Sequence, residues 1–277
     1  MRYVDAIAGA PPGSGRFHAA DLARLSRTTL RLIFEPGPGA PPLEEAAAAL
    51  GGEPEALQRV ATALPPARGE RLLRLGQRPH ARPERAAAAL RLVRGSFWYL
   101  VYELKPDLWD RLATAERVAP ELLADLPADG ARVLEVAAGS GRLTAALAGR
   151  AAALLALEPA APLRRLLRRR LPAVWLAAGV GHRLPVRSGW ADLVVSCATF
   201  GPHHPLGGEA VLAELQRCAR RGGTVALVSP EAPAWWEERG FRARTYPEPA
   251  VSLDADLEAF FGLAHGPHRL LTRVVGA

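Results

Sequence analysis

Val133-Leu134-Glu135-Val136-Ala137-Ala138-Gly139-Ser140-Gly141-Arg142-Leu143-Thr144 is the stretch that decides the fold class. A short apolar strand ends, the chain turns through two glycines, and a helical pattern begins. Glycine adopts positive φ and lets backbone come close to a ligand, and free amides at a helix start face whatever binds there. Glu135, on the strand just before the turn, sets a carboxylate beside the same crevice, suited to an ammonium group directly or through water. A second acid, Glu158, closes the next predicted strand, where a carboxylate can accept hydrogen bonds from both hydroxyls of a ribose. The loop has Thr144 where the G-x-G-x-x-G pattern of hydride-transfer folds has its third glycine.

Outward from this loop, apolar strands alternate with helices. The pattern predicts strands over Arg132–Ala137, Ala152–Leu157, Val174–Ala178, Ala191–Ala198 and Thr224–Ser229. Helices are expected over Leu143–Arg150, Pro162–Leu171, Glu209–Arg220 and Pro233–Arg239. Strands that are apolar throughout and alternate with helices indicate a parallel sheet covered on both faces. Two last strands, Phe241–Tyr246 and Arg269–Val275, follow the doubly wound part. The expected fold is therefore α/β, doubly wound and Rossmann-like, with seven strands, in a domain spanning 128–277.

Residues 1–127 read instead as helices broken by proline and glycine. Helices are predicted over Ala20–Phe34, Leu43–Leu50, Pro54–Leu64, Pro83–Leu104 and Pro106–Leu126, with Pro36-Gly37-Pro38-Gly39-Ala40-Pro41-Pro42 as a clear break. This region is expected to serve dimerisation, to act as a lid, or to cap a substrate. Leu43–Leu64 has helix-turn-helix spacing, but Glu53, Glu55 and Arg59 are the only charges of its second helix, a poor complement to phosphate.

The chain has 277 residues, 49% hydrophobic and 23% charged, as in ordinary globular proteins. Its formal charge is +7, and among its cations Lys105 is the only lysine, a bias that fits an Ala-, Gly- and Pro-rich composition better than a selected nucleic-acid surface. Two cysteines, Cys197 and Cys218, suggest neither a disulfide framework nor a metal site. Met1–Phe17 lacks a signal-peptide pattern and no apolar run reaches the ~20 residues of a membrane span, so a reducing cytoplasm is the expected location.

From about Leu123 onward the sequence resembles the class I S-adenosylmethionine-dependent methyltransferases, in particular the small-molecule group with a Leu-Pro motif after the third strand. Val133–Gly141 is similar to the family's first motif and Glu158-Pro159 to its second. Gly179–Val186, with Leu184-Pro185, and then Trp190–Val195 resemble the segment leading into strand four. Glu214-Leu215, Arg217–Gly223 and Val225–Val228 resemble the helix, turn and strand that follow, and Gly240-Phe241 the turn before the final pair. The resemblance implies S-adenosyl-L-methionine as cofactor, bound by Glu135, Ala137, Gly139, Ser140, Gly141, Glu158, Pro159, Val180, Gly181, His182 and Cys197. Ala137 takes the place of the first motif glycine. Val180 stands where many members have an acid or amide that bonds the adenine amino group, a bond valine cannot make.

Candidates for the chemistry carry competing readings. Methyl transfer is an in-line displacement, so a base is needed only if the nucleophile must lose a proton. His203 and His204 follow strand four at the carboxyl edge and are the candidate bases or substrate ligands, weighed against two ordinary loop histidines. Cys197 is weighed against a core thiol. Tyr99, Tyr102 and Trp109 could line an acceptor pocket and surround a sulfonium cation, or simply pack the helical region. No His or Cys grouping has convincing metal spacing, His265 and His268 included. Arg164, Arg165, Arg168, Arg169 and Arg170 form a cationic face that could attract nucleic acid or be solvated. The expected partner is a small-molecule methyl acceptor, with no membrane and a possible homodimer. An RNA or DNA methyltransferase and a non-catalytic scaffold of the same fold are the alternatives.

Overall fold

The computed structural model describes residues 17–35, 40–202, 207–249, 254–261 and 266–276. The chain divides into two compact units, one of Val4–Leu108 with Asp254–Leu263, the other of Trp109–Leu253 with Ala264–Ala277.

The first unit is helical. A 3-10 turn, Ala19–Arg24, precedes α1 (Arg27–Phe34), α2 (Leu43–Leu50), α3 (Pro54–Ala63), α4 (Pro66–Gly76), α5 (Arg82–Gly95) and α6 (Phe97–Leu104). The single helix expected over Ala20–Phe34 is two pieces, because Ser26 accepts the Thr29 amide and starts a new helix. The helix expected over Pro83–Leu104 likewise breaks at Ser96, which caps both α5 and α6. A late helix, Ala255–Phe261, returns to this unit. Its Phe260 and Phe261 join Phe17 and Phe97 in an aromatic cluster with ring centroids 4.8–6.4 Å apart, edge-on or tilted as ring quadrupoles favour.

The second unit carries the sheet. Helices α7 (Pro106–Ala115, whose first three residues group with the helical unit) and α8 (Pro120–Asp125) lead into it, separated where Pro120 forces a fresh start. Then come β1 (Arg132–Val136), α9 (Arg142–Leu147), β2 (Ala153–Leu157), α10 (Ala161–Arg170), β3 (Trp175–Ala177), β4 (Ala191–Cys197), α11 (Gly208–Cys218), β5 (Ala219–Val228), α12 (Pro233–Glu237), β6 (Arg242–Tyr246), the late helix as α13, and β7 (His268–Val274). The strand order is β3-β2-β1-β4-β5-β7-β6, parallel except for β7, which runs antiparallel to both neighbours. This is the expected seven-stranded, doubly wound sheet.

Alternate side chains of β1 and β4 sort into two apolar layers. Val133, Leu193 and Val195 pack with Leu122, Leu143, Leu147 and Leu167 on one face. Leu134, Val136 and Val194 pack with Val211, Leu212, Leu215 and Trp236 on the other. Each fully buried leucine contributes about 2 kcal/mol, which makes these layers the scaffold that fixes the strand ends. Leu112, Val118, Ala119, Leu122 and Leu126 are buried, and the last four pack in the first layer. The compact unit that carries the sheet begins at Trp109, earlier in the chain than the 127/128 boundary read from sequence.

Candidate active site

The carboxyl ends of β1, β4 and β5 each turn through a non-glycine residue in left-handed conformation: Ala137 (φ 62°), Ala198 (φ 51°) and Ser229 (φ 45°). Such residues cost on the order of 1–3 kcal/mol each and gather at functional sites. Here hydrogen bonds hold them: Ala138 N donates to Leu157 O (3.0 Å), Ala198 N to Val228 O (2.8 Å) and Ser229 N to Arg269 O (2.6 Å). Three central strands thus end in strained corners along one edge, which is where open α/β sheets bind ligands.

The glycine loop lies at the first corner. Gly139 (φ +60°) and Gly141 (φ +101°) are both left-handed. A Cβ on Gly141 would stand 2.5 Å from Leu167 Cδ1, so this glycine serves the packing of α10 against the loop. A Cβ on Gly139 would stand 3.4 Å from Trp109 Nε1, which puts the indole over the loop. Three loop amides bond within the protein. Ala138 N goes to Leu157 O, Gly141 N to Ala138 O, and Gly139 N to Glu158 Oε2 at 2.9 Å. The expectation of amides turned outward is therefore not met at these three positions. Glu158, 4% exposed, also accepts from Ala160 N through Oε1 at 2.8 Å. These two bonds orient the Glu158 carboxylate at the end of β2.

Glu135 is 2% exposed, and its Oε2 has no hydrogen-bond partner among the described residues; Ser140 Oγ is buried in the same condition. Burial pushes the Glu135 carboxyl up to about 8, with the Glu158 charge adding to the rise; the nearby Thr144 hydroxyl and the Arg142 charge pull the other way. A buried carboxyl with an unsatisfied oxygen is costly. A cation or donor arriving at that oxygen removes the cost.

Arg142, to which the sequence reading gave no role, stands beside this acid. Its Nη1 donates to Glu116 Oε2 (2.7 Å) and Glu116 O (3.5 Å), and its Nη2 to Cys197 Sγ (3.2 Å). Burial holds the Cys197 thiol above its ordinary range against the pull of Arg142. Glu135 pairs with Val195 in the β1–β4 register, and Cys197 lies two residues further along on the same face. No motif marks Glu116, an acid between Ala115 and Arg117; only its burial at 6% shows it to be engaged.

The remaining predicted residues divide. Val180, Gly181 and His182 form a tight turn closed by Arg183 N to Val180 O (2.9 Å), and a Cβ on Gly181 would meet the Phe200 ring at 2.7 Å. Val180 is half-buried, and His182 Nδ1 is buried without a partner among the described residues. Pro159 is half-buried; its carbonyl, like that of Glu158, accepts from Arg164. Tyr99 and Tyr102 belong to the helical unit, where Tyr102 stacks on Trp98. His203, His204 and His265 lie outside the described residues. No metal-binding group of His, Cys, Asp and Glu occurs among the described residues, and no described helix is long and apolar enough to cross a membrane. Of the arginine face, Arg168 bonds the Pro172 and Val174 carbonyls, while Arg170 bonds Ser140 O (2.9 Å) and Asp110 (2.8 Å). With Arg164 these three close the ends of α10 and pin the loop, so the face is in large part structural.

Residues 134–227, from β1 through β5, match the family described as a methyltransferase domain. Residues 134–227 are a class I methyltransferase domain. S-adenosylmethionine is the cofactor that goes with such a domain. Among curated proteins, a demethylmenaquinone methyltransferase of Parafrankia sp. (strain EAN1pec) is 34% identical over 128 residues, covering 39% of this chain and 50% of the relative. An uncharacterized methyltransferase of Mycobacterium bovis (strain ATCC BAA-935 / AF2122/97) is 30% identical over 118 residues, covering 42% and 47%. The chain thus spans about half the length of the curated relatives it matches. A Thermotoga maritima structure described as a SAM-dependent methyltransferase, possible histamine N-methyltransferase, aligns with TM-score 0.45 at 16% identity, covering 63% of this chain and 98% of that one. Within the matched residues Ala137, Ala198, Glu135 and Glu158 all fall at the carboxyl edge.

Proposed function

We propose that this chain transfers a methyl group from S-adenosylmethionine to an oxygen, nitrogen or carbon atom of a small molecule. The observation that carries the reading is the Glu135 carboxyl, buried with an unpartnered oxygen at the end of β1, beside Glu158 at the end of the adjacent β2. A ligand with an ammonium group and a ribose matches that pair, and Ser140 Oγ adds a further unsatisfied buried group in the loop between them. When bound, S-adenosylmethionine supplies a methyl group on a sulfonium centre.

Glu135 would accept from the ammonium group, and Glu158 from the ribose hydroxyls. Val180, Gly181 and His182 would border the adenine, with Val180 packing on the ring. Trp109, over Gly139, would cover the methionine end and exclude water. The protein's work is then alignment and desolvation, which supply much of the rate of an in-line displacement. Where the acceptor's nucleophile carries a proton, His203 and His204, which follow β4 in sequence, are the candidates to take it. The Parafrankia relative is named for a demethylmenaquinone acceptor, which supports a small molecule over a nucleic acid as acceptor.

Calorimetric titration with S-adenosylmethionine and S-adenosylhomocysteine tests the reading. Saturable binding is expected, weakened about 10- to 100-fold by Glu158→Ala, the net worth of about one charge-assisted hydrogen bond. Absence of binding to the folded protein refutes it.

A further inference from the structure

Arg142 is a cation at the carboxyl edge held mostly out of solvent, with its side chain 18% exposed and that of Glu116 7% exposed. It opens α9 directly after the glycine loop. One guanidinium nitrogen reaches back to Glu116, in the segment 116–119 between α7 and α8; the other reaches Cys197 at the end of β4. The same segment is held at its far end by His268 of β7, whose Nδ1 accepts the Ala119 amide at 3.3 Å. A lone structural ion pair would need no such siting: buried pairs of this kind are often no more stabilising than apolar residues of the same volume.

We propose that Arg142 is a positioning residue for the methyl donor: clamped by Glu116 and Cys197, it holds a fixed positive charge beside Glu135 and so keeps that acid able to ionise against the donor's ammonium group. The proposal rests on the reading of Glu135 as the ammonium-binding acid. The charged and titratable groups facing Glu135 are Arg142 from α9 and Glu158 from the end of β2, with the Thr144 hydroxyl from α9. Those facing Cys197 are Arg142, Glu135 and Glu116. Among these groups Arg142 is the cation. Without it, the one charge left facing Glu135 among these groups is that of Glu158, and the proton of Glu135 is held more tightly.

Two measurements test this. The first is titration of the Glu135 carboxyl by carbon-13 NMR on protein alone, the signal identified by its loss in Glu135→Gln. The second is the affinity for S-adenosylhomocysteine across the same pH range. Arg142→Met should raise the carboxyl midpoint by about one pH unit and move the rise of affinity equally, the usual effect of removing a nearby opposite charge. Arg142→Lys keeps the charge but loses the fork, and should restore the midpoint. Should Arg142→Met fail to fold, Glu116→Gln carries the test: it removes the counter-charge, keeps an acceptor oxygen, and should move the midpoint down.

A structural clamp alone would lower the melting temperature in all three variants with the midpoint fixed, and that result overturns the proposal. Wild-type protein that binds no S-adenosylhomocysteine refutes the methyltransferase reading instead. The carboxyl titration then still shows whether Arg142 governs Glu135.

Discussion

Replacing Glu135 by Gln removes one titration from the centre of the site, and the structure fixes the size of the effect. The folded carboxyl sits near 8 because it is buried, whereas an unfolded glutamate titrates near its ordinary value of about 4.3. Between those values the folded protein holds a proton that the unfolded chain has released. Stability from this group is therefore fully present below the unfolded value and falls as pH rises, until it is lost above 8. From pH 6 to 7.5 the fall is about 2 kcal/mol at 1.36 kcal/mol per unit. Urea unfolding of wild type and Glu135→Gln at the two pH values should show the stability difference between them change by that amount. The same proton governs binding. About nine-tenths of Glu135 is protonated at pH 7, so an ammonium ligand that ionises it expels close to one proton, and affinity should rise about eightfold from pH 6.5 to 7.5. Calorimetry of S-adenosylhomocysteine in buffers of different ionisation enthalpy counts the proton. Parallel stability profiles for the two proteins, together with no proton release, would show that Glu135 is ionised already and that the burial reasoning is wrong.

Ala137→Gly relieves a left-handed alanine at the end of β1 and should stabilise the protein by about 1 kcal/mol, seen as a higher melting temperature; a lower one would show that the corner is unstrained. Gly141→Ala adds left-handed strain to a 2.5 Å approach to Leu167 and should cost about 2–5 kcal/mol in urea unfolding. In a Leu167→Ala background the contact part of that cost should vanish, and strict additivity of the two changes would refute the contact. Arg170→Met breaks the bonds to Ser140 O and Asp110, so loop amides should exchange hydrogen faster near residue 140; unchanged exchange would mean the loop holds its shape without Arg170.

The sheet was legible because its signals are local. Each core strand is a short apolar run, and a parallel strand buried on both faces needs nothing else. The acids Glu135 and Glu158 stand out in sequence for a local reason too, as charges within and just after otherwise apolar strand runs. The helical region was less so. The α4 segment Pro66–Gly76 carries four charges in eleven residues, and its apolar side, Leu72 and Leu75, is too sparse to declare a face. Long helical patterns hid the breaks at Ser26 and Ser96, where side-chain and packing choices, and not propensity, end the helix. Helices 109–125 resemble those before them in sequence, so no local signal sets them with the sheet unit, where Val118, Ala119 and Leu122 pack in the layer of Val133 and Val195.

What sequence could not supply was the pairing of charges across the chain. Glu116 and Arg142 are twenty-six residues apart, and neither belongs to a pattern that predicts the other. Glycine loops advertise themselves because every ligand that approaches a backbone imposes the same steric demand. The charge that tunes an acid can arrive from any element whose side chain reaches, so no fixed spacing records it. The two kinds of residue therefore answer to different tests. A loop glycine fails on any side chain added, whereas Arg142 should tolerate Lys and fail with Met. If Lys at this position is as damaging as Met, the shape of the guanidinium matters more than its charge, and the clamp on Glu116 and Cys197 outranks the electrostatics.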